Sequence, residues 1–256
     1  MRSFLAFFKK ELLESLRSGK FLFLGILFCA FGIMNPAIAK LTPWIIEMLS
    51  DELAETGMEI MGVTVDAITS WTQFFKNIPM ALITVVLMYG GTFSKEYESE
   101  SLVLIVTKGL DRYKIVISKA LLILSTWSIG YWVCFLITYG YNAYFWDNSI
   151  AVSLMPAAVS WWLFGILTVS LIIFFSVVAK SYSMVLLGTG GTIFISYLVS
   201  LLPKVSKYLP TSLMNSGSLI VGKGSFDDYL DAFIIAAVLS IVLIVVSIPI
   251  FNKKQI

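Results

Sequence analysis

The chain has 256 residues, of which 58% are apolar and 13% charged, with a net charge of +2 and a mean hydropathy of +0.89. That balance excludes an ordinary soluble domain and describes an integral membrane protein. The small, dispersed positive charge excludes a nucleic-acid surface, and the complete lack of histidine removes the commonest proton shuttle and metal ligand.

The chain opens with "MRSFLAFFKKELLESLRSGK" (1–20), which sets Phe4, Leu5, Phe8, Leu12 and Leu16 at helical spacing, with Lys9, Lys10, Glu14 and Arg17 largely elsewhere. It reads as an amphipathic interfacial helix. The uncharged run 21–39 follows, long enough to cross a bilayer at about 1.5 Å per residue. Ala37-Ile38-Ala39 imitates a signal-peptide cleavage site, but a leader carrying Glu11 and Glu14 and an apolar run of full spanning length argue against removal.

Residues 40–76 are expected to form a helical segment on the outer face, with Asp51, Glu55 and Glu59 on one solvated helix face rather than in a Ca²⁺ site. Asp66 is expected to cap a restarted helix bearing Ile68, Trp71 and Phe75 on one side. The next span is 77–93, short, with Pro79 in its first turn. Uncharged runs at 120–141, 151–179, 183–202 and 232–251 bring the expected total to six.

The expected fold is therefore all-α and polytopic, a single membrane domain over 1–256. Cys29 and Cys134 both fall in apolar runs and imply no disulfide. With residues 1–20 inside, thirteen of the eighteen Lys and Arg and only six of the sixteen acids face the cytoplasm. That asymmetry puts both termini there. Residues 203–231 contain apolar Leu213, Met214, Leu219, Ile220 and Val221, but no run long enough to span.

No carboxylate lies inside an apolar run, so ion-coupled carriage by buried acids is disfavoured. "GTGGT" (188–192) lacks the lysine of a phosphate loop, and "GKGS" (222–225) has the wrong spacing. Gly188, Gly190 and Gly191 read instead as small residues for close helix packing. Neither an energy source nor an acid-base pair for an intramembrane enzyme is visible.

The internal stretch "SKEYESESLVLIVTKGLDRYKIVISK" (94–119) has acids first, a short apolar segment, Gly109 as a breaker and a basic helix leading into the next span. This is the pattern of an element that docks a soluble partner. Leu102 and Leu104 are its candidate apolar anchors. Glu96, Glu98, Glu100, Lys108 and Arg112 are the surrounding charges.

The stretch resembles the segment after the second span of ABC-2-type transporter permeases, an E-x-E pair followed by an L-x-x-L-x-T/S-K/R-x-x-x-R run and a returning helix. The matching residues are Glu96, Glu98, Leu102, Thr107, Lys108, Arg112, Ser118 and Lys119; Glu100-Ser101 stands where that family often has Gly-Thr. "FFKKELLESLRSGKFLFLG", "YNAYFWDNS" and "IFNKKQI" extend the resemblance over nearly the whole chain. It implies a coupling helix over 94–119 and a separate ATPase subunit carrying ATP and Mg²⁺, with no cofactor on this chain. It also implies a second permease, identical or related, met through the second and fifth spans with Gly188, Gly190 and Gly191 at the contact. Residues 203–231 would form a partly inserted outer hairpin, with an outer surface loop as the alternative, in a bacterial cytoplasmic-membrane exporter of amphipathic or lipophilic compounds bounded by membrane lipids. A non-transporting sensor or scaffold that docks a cytoplasmic partner is the reading from a different class.

Overall fold

Eight α-helices and three short 3₁₀ segments make up the described part of the computed structural model, which covers residues 2–54, 65–98, 102, 106–107, 109–179 and 181–254. Helix α1 spans Arg2–Arg17. It ends at Gly19, whose φ of +73° is a left-handed geometry that glycine adopts without steric cost. The chain turns there into α2, Lys20–Ala54.

Helix α2 runs past the expected end of the first span and through Pro36 and Pro43. Pro36 lacks an N–H, so the Gly32 carbonyl loses its helical partner. Thr138 replaces it, donating from Oγ1 to Gly32 O at 3.1 Å. Asn77 Nδ2 donates to Asn35 Oδ1 at 2.9 Å, and Asn35 Nδ2 to Thr138 Oγ1 at 3.4 Å. Side chains on neighbouring helices thus satisfy the backbone that proline frees, as the absence of water in a bilayer requires.

Helix α3 is Ala67–Tyr89. Asp66 caps it as expected, its carboxylate accepting from the Thr69 N–H at 3.0 Å. The expected break before Pro79 does not occur. The cap at Asp66 sets the start, one continuous helix joins the aromatic segment to the apolar run, and Pro79 sits in its interior. Trp71, Phe74, Ile78, Val85 and Tyr89 are buried on one face, while Met80, Ile83 and Leu87 are exposed on the other.

After a turn and the short α4 (Ser94–Glu98), α5 runs from Arg112 to Phe145, α6 from Leu154 to Val178, α7 from Tyr182 to Ser200 and α8 from Asp227 to Lys253. Five described helical segments, in α2 and α5 to α8, are long and apolar enough to cross a membrane. Helix α6 is the central post, the most enclosed of the five, and α7 the least.

Residues 203–231 contribute the 3₁₀ segments Ser206–Tyr208 and Pro210–Val221. Leu213, Leu219 and Ile220 are buried. Ser216 Oγ donates to Ala157 O at 3.1 Å and Trp161 Nε1 to Met214 O at 3.0 Å, which ties the segment to the start of α6.

Candidate coupling site and lateral groove

The expected docking segment leaves α3 through Phe93 and α4, and its first acid turns inward. Glu96 is 7% exposed and pairs through Oε2 with Lys119 Nζ at 3.0 Å and through Oε1 with Lys10 Nζ at 3.1 Å. Lys119, in the second turn of α5, is 1% exposed and donates also to Glu11 Oε2 at 2.9 Å. Lys10 reaches Glu11 and Glu14, each at 2.9 Å. Three elements distant in sequence, α1, α4 and α5, are clasped by one ionic cluster.

Helical geometry explains the α1 contribution. Phe7, Glu11 and Ser15 stand four residues apart on one face, and all three are buried. Leu5, Leu12 and Leu16 face outward. Burial pushes the Glu11 carboxyl up, but the Lys119 charge and hydrogen bond, then those of Lys10, outweigh it and hold the group below its usual range. The carboxylates of Glu11, Glu14 and Glu96 approach within 4.8 Å of one another, the spacing of a cation site. Two ammonium groups, those of Lys10 and Lys119, stand among the three carboxylates.

Cations from the same region close two helix ends. Arg112 Nη1 donates to the carbonyls of Phe251, Asn252 and Lys254 at 3.3, 3.1 and 2.6 Å, at the end of α8. Lys254 Nζ donates to Val177 O at 2.6 Å and Ala179 O at 3.1 Å, at the end of α6, and lies 4.2 Å from the centre of the Tyr97 ring. Both are the favourable placement of positive charge at a helix C-terminus.

The remaining expected residues divide as follows. Leu102, expected as an outward anchor, has no exposed surface and belongs to the chain's own core. Gly109 has φ +85° and supports the expected turn. Glu100, Leu104 and Lys108 lie outside the described residues, as does the side chain of Glu98. Thr107, Gly109, Asp111 and Tyr113 are the exposed described positions between α4 and the first turn of α5.

A second feature opens sideways. A cavity of about 500 Å³ lies between α3 and α7, with Trp161, Phe164 and Thr168 of α6 as its floor. Its walls carry no charged residue. Tyr182 OH donates to Leu87 O at 3.0 Å, joining α7 to α3 at the basic end. Thr189 Oγ1 is buried and without a hydrogen-bond partner among the described residues.

The three glycines of α7 do not act together. A Cβ on Gly188 would meet the Phe175 ring at 2.4 Å, so this glycine is required by packing on α6 within the chain. Gly190 and Gly191 have no atom within 4 Å of the corresponding point and remain open to a neighbour.

Sequence reasoning missed the Glu11–Lys119 pair. Its signal was Lys119 set among Ile115, Val116, Ala120 and Leu122, all buried. A charge on a buried stripe requires an opposite charge. Which acid supplies it is decided by how α1 lies across α5.

The family model described as ABC-2 family transporter protein matches residues 5–255. No curated protein and no solved structure matches the chain.

Proposed function

Because this multi-pass membrane chain belongs to the ABC-2 transporter family, we propose that it is the permease of an ATP-driven exporter in a bacterial cytoplasmic membrane. It works with a separate ATPase subunit, which carries ATP and Mg²⁺, and with a second permease, identical or related. The compound moved is amphipathic or lipophilic. The observation that carries this reading is the uncharged cavity between α3 and α7, which suits an apolar body. In this reading α3 is the sixth span.

Coupling follows from the basic end. An ATPase docked near Asp111 and Tyr113 would load the loop at the point where Arg112 holds α8 and Lys119 holds α1 and α4. Closure of the ATPase dimer then moves these helix ends together and shifts the bundle between two conformations. Co-purification tests the proposal: a nucleotide-binding subunit should be retained, and its ATP hydrolysis should respond to lipophilic compounds. Isolation of the chain with no ATPase, but with a signalling protein on the same loop, would favour the scaffold.

A further inference from the structure

On the side of the bundle formed by α1, α2 and α5, a groove of about 190 Å³ is lined by Phe8, Leu12, Gly25, Phe28, Leu122 and Gly130 among others. It is separate from the α3–α7 cavity; the two share no lining residue. Hydroxyls are few: Ser125 lines the groove, and Thr126 donates its own back to Leu122 O at 2.7 Å. Such a lining favours hydrocarbon over anything polar.

Its roof is α1, the helix with Leu5, Leu12 and Leu16 exposed. A helix of this kind lies at the boundary between headgroups and acyl chains. Lys9 is exposed on α1 next to that apolar arc, and Arg17 is exposed at the end of the helix, one residue beyond Leu16. Of the acids on the same helix, Glu11 is turned inward onto Lys119 and Glu14 is paired with Lys10. The charge left facing the membrane surface is therefore positive, and it stands next to a hydrocarbon groove.

We propose that this groove binds one acyl chain of an anionic glycerophospholipid from the leaflet at the basic end of the bundle, with the headgroup held by Lys9 and Arg17. An apolar groove under a basic interfacial helix matches both halves of that molecule, hydrocarbon below and negative charge above. Gly25 maintains the space: a Cβ there would meet no atom within 4 Å, so a larger side chain would enter the groove instead of clashing with its wall.

The full-length chain, released from nanodiscs of equal phosphatidylglycerol and phosphatidylcholine, can be weighed by native mass spectrometry. One phosphatidylglycerol per chain should be retained in preference to phosphatidylcholine. Gly25→Leu, filling the groove from α2, should lose it, and so should Ser125→Phe, filling it from α5 at an exposed position; two independent fillers guard against misfolding of either. Lys9→Gln with Arg17→Gln should keep a lipid but lose the preference for phosphatidylglycerol. Retention of the same lipid by both filled variants would overturn the proposal. So would equal retention of the two lipids by the wild type, or a second copy of the chain in place of a lipid. The measurement needs neither ATPase nor transport, so its outcome is independent of the exporter reading.

Discussion

Lys119 shows how much one side chain organises. With 1% exposure, its ammonium is tolerable only because Glu11 and Glu96 are within 3.0 Å. Lys119→Met would leave the buried Glu11 and Glu96 sharing the ammonium of Lys10 and should cost up to about 3–5 kcal/mol, the usual penalty for breaking a buried ion pair from one side. Thermal unfolding in detergent measures this, and adding Glu11→Leu and Glu96→Leu should recover most of the loss. A pH dependence follows with a definite sign. The Glu11 carboxyl is held below its ordinary value in the folded chain, so its contribution is complete above the unfolded pKa, near 4.3. It is lost as pH falls through the lower folded value. Between pH 6 and pH 3.5 the wild-type melting temperature should therefore drop more than that of Glu11→Gln. An equal drop would show that the pair contributes nothing.

At the scale of the element, α7 is the least enclosed of the apolar helices, and its glycines stand in different surroundings. Gly188 meets α6, where a methyl group would lie 2.4 Å from the Phe175 ring. Gly188→Ala should destabilise the isolated chain by about 1–3 kcal/mol through overpacking. Gly191 has open space, so Gly191→Leu should leave monomer melting unchanged and weaken the pairing of two permeases in a cross-linking assay. If Gly188→Ala is silent and Gly191→Leu unfolds the chain, the two assignments are reversed. Helix α5 meets α6 more closely still. A Cβ on Gly165 would lie 2.0 Å from the Trp127 indole, which donates to Trp162 O at 3.0 Å. Gly165→Ala should accordingly be among the most damaging single-methyl substitutions, read by the yield of folded protein.

At the scale of the whole molecule, the basic end links the loop, the amphipathic helix and the ends of α6 and α8 into one ionic layer. If an ATPase drives transport through that layer, Asp111→Lys with Tyr113→Ala should leave the protein inserted while separating ATP hydrolysis from transport. Asp227→Lys, exposed at the start of α8 on the opposite end, is the control and should have no effect. Equal behaviour of the two variants would remove the coupling role of the loop. Reporter fusions check the frame itself: residues 1–20, 94–119 and 252–256 should report inside, and residues 40–76 outside.

Composition and hydropathy by themselves determined that the chain is an all-helical, multi-pass membrane protein, because burying a backbone in hydrocarbon requires long uncharged helices whatever their neighbours. Local chemistry was equally legible at Asp66, a cap that acts within one helical turn. The order of acids, apolar residues, glycine and bases over 94–119, together with the entry helix and the motifs that follow along the chain, carried the family resemblance. Tertiary structure alone decided which of those residues face out. Glu96 and Leu102 read as partner-facing in one dimension, yet both are buried against the chain: Glu96 because α1 and α5 bring Lys10 and Lys119 to it, and Leu102 within the apolar core. Gly188 was likewise inseparable from Gly191 in sequence, until the approach of Phe175 distinguished them. Spacing along a helix determines which residues share a face. What that face meets depends on the crossing of helices far apart in the chain, and no local pattern encodes it.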